Sequence, residues 1–250
     1  KNKPRFKRFI KKERNHLLIL PRYNSDLKRF VVDLINVENF KKQHTYTHDI
    51  NKFNKLVKTD RKFHERIHVD HSPIRFVYWH PMILDDASLI SNGGTALFRI
   101  DKCGNLIWFN NEQFFHHSLM LDQNKYIWAS GTLKPDSNFV SQFKRSKEFM
   151  DDAIFKLDLE TGKILFQKSI IELLIQNNIL NNQEIFDANN DPIHINDIEP
   201  IKKDGLYWKK GDLFISIRNQ SAIILYRPST NKVLKYLKGP FYMQHDVDVI

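Results

Sequence analysis

Residues 153–166, AIFKLDLETGKILF, decide the reading of this chain. An apolar run gives way to a polar step from Asp158 to Lys163, broken only by Leu159, and a second apolar run follows. Gly162 stands where a tight turn tolerates a positive φ, so the stretch is a β-hairpin. RIDKCGNLIW (99–108) and LYRPSTNKVLKY (225–236) repeat the pattern with Gly104 and Asn231 at the turn. Outside these hairpins, short segments rich in Val, Ile, Leu, Phe and Tyr recur at close spacing, among them HLLILPRY (16–23), KRFVVDLI (28–35), KYIWAS (125–130) and DLFISIRN (212–219). Such spacing predicts an all-β meander. Helices are expected as insertions at 49–66, 141–149 and 169–179, the last with apolar residues at helical spacing.

Several of the strands open near a histidine. YWHPMILDDASLI holds His80, FFHHSLMLD holds His117, DPIHINDIEP holds His194 and FYMQHDVDVI holds His245. The steps between them are 37, 77 and 51 residues, the longest stretched by the two later helical insertions. A unit of strand, turn, strand and hairpin, about 40 to 50 residues long without insertions, is the size of a four-stranded propeller blade. Residues 15–49 supply strands of an earlier blade, which gives about four partial or complete blades, the last only begun. A propeller removes its sheet edges by closing the ring, so a chain that ends inside a strand at Ile250 reads as a fragment. The expected organisation is a basic tail at 1–15 and an incomplete propeller over 16–250.

Composition bounds the function. With 250 residues, 41% of them hydrophobic and 27% charged, the chain can bury a core. No apolar run approaches the roughly 18 residues of a membrane helix. The single Cys103 excludes an internal disulfide and a thiolate cluster. The net charge of +10 is local: residues 1–80 hold 20 Lys and Arg against 8 Asp and Glu, and the remainder holds 19 against 21. Lacking an aromatic recognition motif beside it, KNKPRFKRFIKKER (1–14) reads as a solvated tail, and no nucleic-acid partner is expected.

In a propeller the first strand of each blade lines the central channel, so His117, His194 and His245, at equivalent places in successive repeats, are expected to converge. His116 is the alternative to His117, because neighbours on a strand face opposite ways. His80, followed by Pro81, reads as a structural residue bonding a backbone carbonyl. Asn196 shares a strand face with His194, and Arg218 ends the run DLFISI. Imidazoles, a carboxamide and a guanidinium suit a tetrahedral oxyanion. Three histidines also suit zinc, although a neighbouring guanidinium opposes a cation, and no metal is expected. His64, His68 and His71 share a charged connector and read as solvated.

The ordered set HHSLML (116–121), DPIHINDIEP (191–200), GDLFISIRNQSAI (211–223) and GPFYMQHDVDVI (239–250) resembles the bacterial arylsulfotransferase family, from about residue 78 to the chain end. The resemblance implies a six-bladed propeller that transfers a sulfuryl group from an aryl sulfate ester to a phenolic acceptor, without a nucleotide donor or other cofactor, by a ping-pong route through a sulfohistidine. By motif it implies His245 as nucleophile, with His194, Asn196 and Arg218 on the sulfuryl oxygens and His117 completing the pocket. Asp246 either orients His245 or caps its strand, and the capping role is the one favoured. Family habit implies the periplasm, with a membrane anchor conceivable upstream of Lys1. The rival readings are a non-catalytic propeller scaffold and, because AIFKLDLETGKILF is similar to their repeat, a quinone-dependent dehydrogenase.

Overall fold

The computed structural model describes residues 16–56, 72–93, 96–134, 149–181 and 190–249. They fold as four antiparallel sheets, each running in sequence order. The first contains β1 (Leu17–Asn24), β2 (Arg29–Asn36) and β3 (Lys42–Tyr46); the second β4 (Trp79–Ile83), β5 (Leu89–Gly93), β6 (Ala96–Ile100) and β7 (Leu106–Asn110). The third is β8 (Phe114–Leu121), β9 (Ile127–Thr132), β10 (Asp152–Leu157) and β11 (Ile164–Ser169); the fourth is β12 (Ile195–Pro200), β13 (Leu213–Ile217), β14 (Ala222–Arg227) and β15 (Lys232–Lys238). The leading strands pack in succession, β1 on β4, β4 on β8 and β8 on β12. These sheets are four blades of a β-propeller, in keeping with the all-β reading, and their leading strands form its inner rim.

Apolar layers lie between the blades. Val32, Tyr46 and Phe53 meet Leu89, Phe98 and Ile100 between the first and second. Leu97 and Trp108 meet Phe115, Ala129 and Phe155 between the second and third, and Trp128 and Ile154 meet Ile195, Ile215 and Ile224 between the third and fourth. Full burial of one such side chain contributes roughly 1.5–3 kcal/mol, so these layers hold each blade in place beside the next.

The hairpins interlock blade with blade. Trp108, on the last strand of the second blade, donates its indole N–H to Leu159 O at 3.0 Å, and Asn110 Nδ2 donates to Gly162 O at 2.7 Å. A Cβ at Gly162 would stand 2.4 Å from the Trp108 ring, and the residue's φ is +68°; both requirements select glycine. Gly104 and Asn231 also have positive φ, as the turn chemistry requires.

Two α-helices are present among the described residues, α1 (Ile50–Leu56) and α2 (Ile170–Gln176). Ser169 caps α2 by accepting the Glu172 N–H at 3.1 Å, while its own hydroxyl donates to Asp151 at 2.6 Å. Ile170, Ile171, Leu173 and Leu174 are fully buried in the layer between the third and fourth blades. The segment is thus part of the core and more than an insertion. Most of the helix expected at 141–149, the latter part of that expected at 49–66, His64, His68 and His71, and the basic tail at 1–15 lie outside the described residues.

The expectation of an alternating strand opened by His245 and Asp246 is corrected: residues 239–249 contain no strand. A strand draws its ladder bonds from a partner strand, and no described residue supplies one. The segment is tied instead by side chains, so Asp246 caps no strand.

Candidate active site

The inner strands of the last three blades share a local distortion. His80, His117 and His194 have left-handed backbones, with φ of 44°, 50° and 54°. Register shifts enclose His80 (Trp79/Met82) and His117 (Phe115/Leu119), and one follows His194 (Ile195/Asp197). A non-glycine residue in this region costs on the order of 1–3 kcal/mol and persists only where the surroundings hold it. The hold comes from neighbouring strands. Ser91 Oγ donates to Trp79 O at 2.8 Å and Ser130 Oγ to His116 O at 2.5 Å, in each case the carbonyl before the distorted histidine. In the fourth blade the backbone N–H groups of Asn219 and Arg218 reach Ile193 O and His194 O at 3.0 and 2.9 Å. Asn92 adds a bond between blades, from Nδ2 to His117 O at 2.9 Å.

These distortions gather the imidazoles. His117 Nε2 and His194 Nε2 are 3.2 Å apart, and the His117 and His245 ring centres are 6.0 Å apart. The three histidines singled out by motif are therefore brought together through His117. His116 is not turned away. Its ring centre lies 6.1 Å from that of His194, in a stacked orientation, because the bulge after Phe115 breaks the alternation that would have sent it to the other face. Nor does His80 bond a carbonyl as expected: its exposed ring makes no hydrogen bond among the described residues and lies in the electrostatic field of His117, His245 and Asp246.

The histidines differ in protonation. Burial, reinforced by repulsion from His116 and His194, pushes His117 down to about 3, so its ring is neutral at neutral pH. His194 moves the other way. A 2.7 Å bond from Nδ1 to Asp191 raises its pKa against the opposing effects of burial and of the Arg218 charge. A protonated His194 donates through Nδ1 to Asp191 and through Nε2 to the neutral His117. The Asp191 signal stood in the sequence, three residues before His194. His116 Nε2 lies 3.3 Å from Asp152 and from the Thr132 hydroxyl. Burial alone would raise Asp152, but the His116 charge and hydrogen bond, with the Ile195 N–H and Thr132 hydroxyl, outweigh it and lower its pKa.

The segment carrying His245 is clamped on both sides of that residue. Asn196, only 2% exposed, donates from Nδ2 to Gln244 O at 3.0 Å. Gln244 Nε2 in turn reaches Ser216 Oγ at 3.1 Å and Ala222 O at 2.9 Å. Asp197 accepts the Val247 N–H at 3.2 Å and the Ser118 hydroxyl at 2.7 Å. Arg218 stays beside His194 through its backbone bond, and its Nη1 donates to Asn219 Oδ1 at 2.9 Å. Asn92 Oδ1, His116 Nδ1, Asn196 Oδ1 and Gln244 Oε1 are buried without a hydrogen-bond partner among the described residues. Each such atom costs about 1–3 kcal/mol, so this rim is not arranged for stability alone.

The fold and these side chains define a β-propeller with an imidazole-lined site and a guanidinium at its inner rim. The family described as Arylsulfotransferase (ASST) matches over residues 80–250, and the chain belongs to that family. No curated protein matches. Among solved structures, the chain is similar to the Neurospora crassa Pan2 WD40 domain, at 9% identity and a TM-score of 0.47, covering 90% of this chain and 47% of that one. A catalytically inactive virginiamycin B lyase from Staphylococcus aureus with quinupristin gives 10% identity and a TM-score of 0.45 over 92% of this chain and 62% of that one. Quinohemoprotein alcohol dehydrogenase from Comamonas testosteroni gives 10% and 0.48 over 90% and 33%. The chain spans about half the length of the first of these structures.

Proposed function

We propose that the protein to which these blades belong transfers a sulfuryl group from an aryl sulfate ester to a phenolic acceptor, with His245 as the covalent nucleophile. The observation that carries this reading is the convergence of His117, His194 and His245, with Arg218 beside His194, on one rim of the propeller. In the first half-reaction a ring nitrogen of His245 attacks sulfur as the ester S–O bond breaks, and the phenolate departs. In the second, the acceptor oxygen attacks sulfur and the S–N bond electrons return to the imidazole. A covalent intermediate divides one hard displacement into two easier ones.

The remaining residues have distinct tasks in this reading. Phosphoryl-type transfers leave the protein chiefly to place the reactants and balance charge on the equatorial oxygens. His194, whose protonated form the Asp191 bond favours, and the Arg218 guanidinium supply that charge. Neutral His117 donates a hydrogen bond without repelling the other imidazoles. Asn196 and Asp197 act through Gln244 and Val247, setting the place of His245. Release of phenolate by full-length protein from 4-nitrophenyl sulfate, together with an acid-labile sulfated peptide containing His245, is the expected result. Turnover without that adduct, or a His245→Ala variant that still transfers, would refute the covalent route.

A further inference from the structure

The proposed reaction needs a group to take the acceptor's proton, and the histidines already assigned are engaged. His245 bears the sulfuryl group at that stage. His194 is held by Asp191 on one side and His117 on the other, and His117 has its Nε2 in that same contact. His116 is turned to Asp152 and Thr132. Apart from His245 itself, only His80 among the described histidines combines an exposed position, no hydrogen bond among the described residues and a place on the same rim.

Its position repeats that of His117. Both residues have left-handed backbones on an inner strand, both lie within a register shift, and in both the preceding carbonyl is fixed by a serine of the next strand. The strands are neighbours. Trp79, beside His80, pairs with Asn92, and Asn92 Nδ2 bonds His117 O, so His80 and His117 are set side by side. Such a distortion is not needed to hold a blade, since β1 of the first blade runs in unbroken register with β2. Its repetition at His80 sets that residue at the place on its strand that His117 holds on the next.

We infer that His80 is the catalytic general base for the phenolic acceptor, an inference that rests on the sulfuryl-transfer reading. In the second half-reaction the acceptor O–H bond breaks and its proton passes to a ring nitrogen of His80. The acceptor oxygen forms its bond to sulfur, the S–N bond to His245 breaks, and that electron pair stays on His245. The His80 imidazolium then releases its proton to solvent at its exposed edge, or to the phenolate leaving in the next cycle. Desolvation by the surrounding protein, with repulsion from His245, keeps the imidazole below the ordinary histidine range, while Asp246 opposes both; the ring is therefore free to accept a proton at neutral pH.

The test uses full-length protein and His80→Asn, since asparagine tolerates the left-handed backbone. With 4-nitrophenyl sulfate as donor, whose phenolate leaves without a proton, the variant should form the His245 adduct at close to the normal rate. Transfer to weakly acidic phenols should fall about 10²-fold or more. The loss should shrink for acidic phenols and be partly restored by added imidazole. Equal loss for all acceptors, no loss at all, or parallel slowing of adduct formation overturns the assignment to His80. Absence of the adduct in unaltered protein overturns the transfer reading and the His80 role with it.

Discussion

Two histidines of this molecule are held neutral to the same degree in unlike company. His48 lies in the layer between the first and second blades, 4% exposed, with its ring centre 4.0 Å from Phe53, 4.9 Å from Phe76 and 5.1 Å from Phe98, and its Nδ1 2.7 Å from the Tyr78 hydroxyl. His117 lies on the inner rim among three other imidazoles, Asp152 and the segment of His245. Burial is the first cause in both, and both fall to about 3. A depressed pKa therefore does not identify a site. The difference is in the neighbours: His48 is surrounded by rings that gain from packing, and His117 by groups that can bind an anion or carry a proton. The two should consequently fail in opposite ways when changed.

The largest effect expected from that contrast is catalytic. His117→Asn removes the ring between His194 and His245 while keeping a residue that tolerates φ of 50°. Transfer activity should fall about 10²- to 10³-fold, as for loss of one oxyanion donor, with the unfolding midpoint little changed. His48→Ala should do the reverse. It opens the aromatic layer, and a drop of roughly 2–4 kcal/mol in denaturant stability is expected, with transfer per folded molecule preserved. Equal activity losses in the two variants would erase the distinction.

A smaller effect sharpens the account of the rim itself. Asp191→Asn removes the hydrogen bond and charge that raise His194. The direction follows from linkage: a histidine raised in the folded state contributes stability fully present below its unfolded value of about 6.5, and that contribution is lost as pH rises through the folded pKa. In the variant that support is lost and only Asp152 still opposes burial and Arg218, so the His194 titration seen by NMR should move to lower pH, and the alkaline limb of kcat/KM should move with it. An unshifted limb would mean that the proton on His194 has no part in the reaction.

Legibility in the sequence follows the same division between packing and rim. The hairpin at 153–166 and its two copies were readable because Gly162, Gly104 and Asn231 meet a backbone requirement that few residues satisfy. The histidine repeat was readable because blades recur. What happens at each histidine was not, since a left-handed residue followed by a bulge leaves no period in the sequence. Strict alternation therefore misplaced His116, and His80, followed by Pro81, gave no sign of the distortion it shares with His117. The burial of α2 had a signal: IIELLI is apolar around most of its circumference, as in a helix enclosed by its neighbours. The clamp on His245 depends on single bonds from Asn196, Gln244 and Asp197, which no pattern announces.

That clamp carries the contrast over to carboxylates and gives the smallest predicted effect. Asp152 and Asp197 are both buried beside the rim, yet Asp152 is lowered, with His116 as its neighbour, whereas Asp197 is pushed up to about 6. Burial is the chief cause, and Asp246 adds repulsion against the bonds from Ser118 and Val247. The linkage has the same sign as for His194 and the opposite sign to that of the lowered Asp152. Between the unfolded value of about 3.9 and the folded one, the native state holds a proton that the unfolded chain has released, so stability falls as pH rises from about 4 to about 6 and then levels. The whole change is at most about 2–3 kcal/mol. It should be concentrated in the residues around His245, where amide exchange at Val247, whose N–H the charged carboxylate holds more strongly, is expected to slow relative to its neighbours as Asp197 ionises. Asp197→Asn should flatten both the stability slope and the exchange response in that pH window; a variant that keeps the parent's slope would show that another carboxylate governs this end of the site.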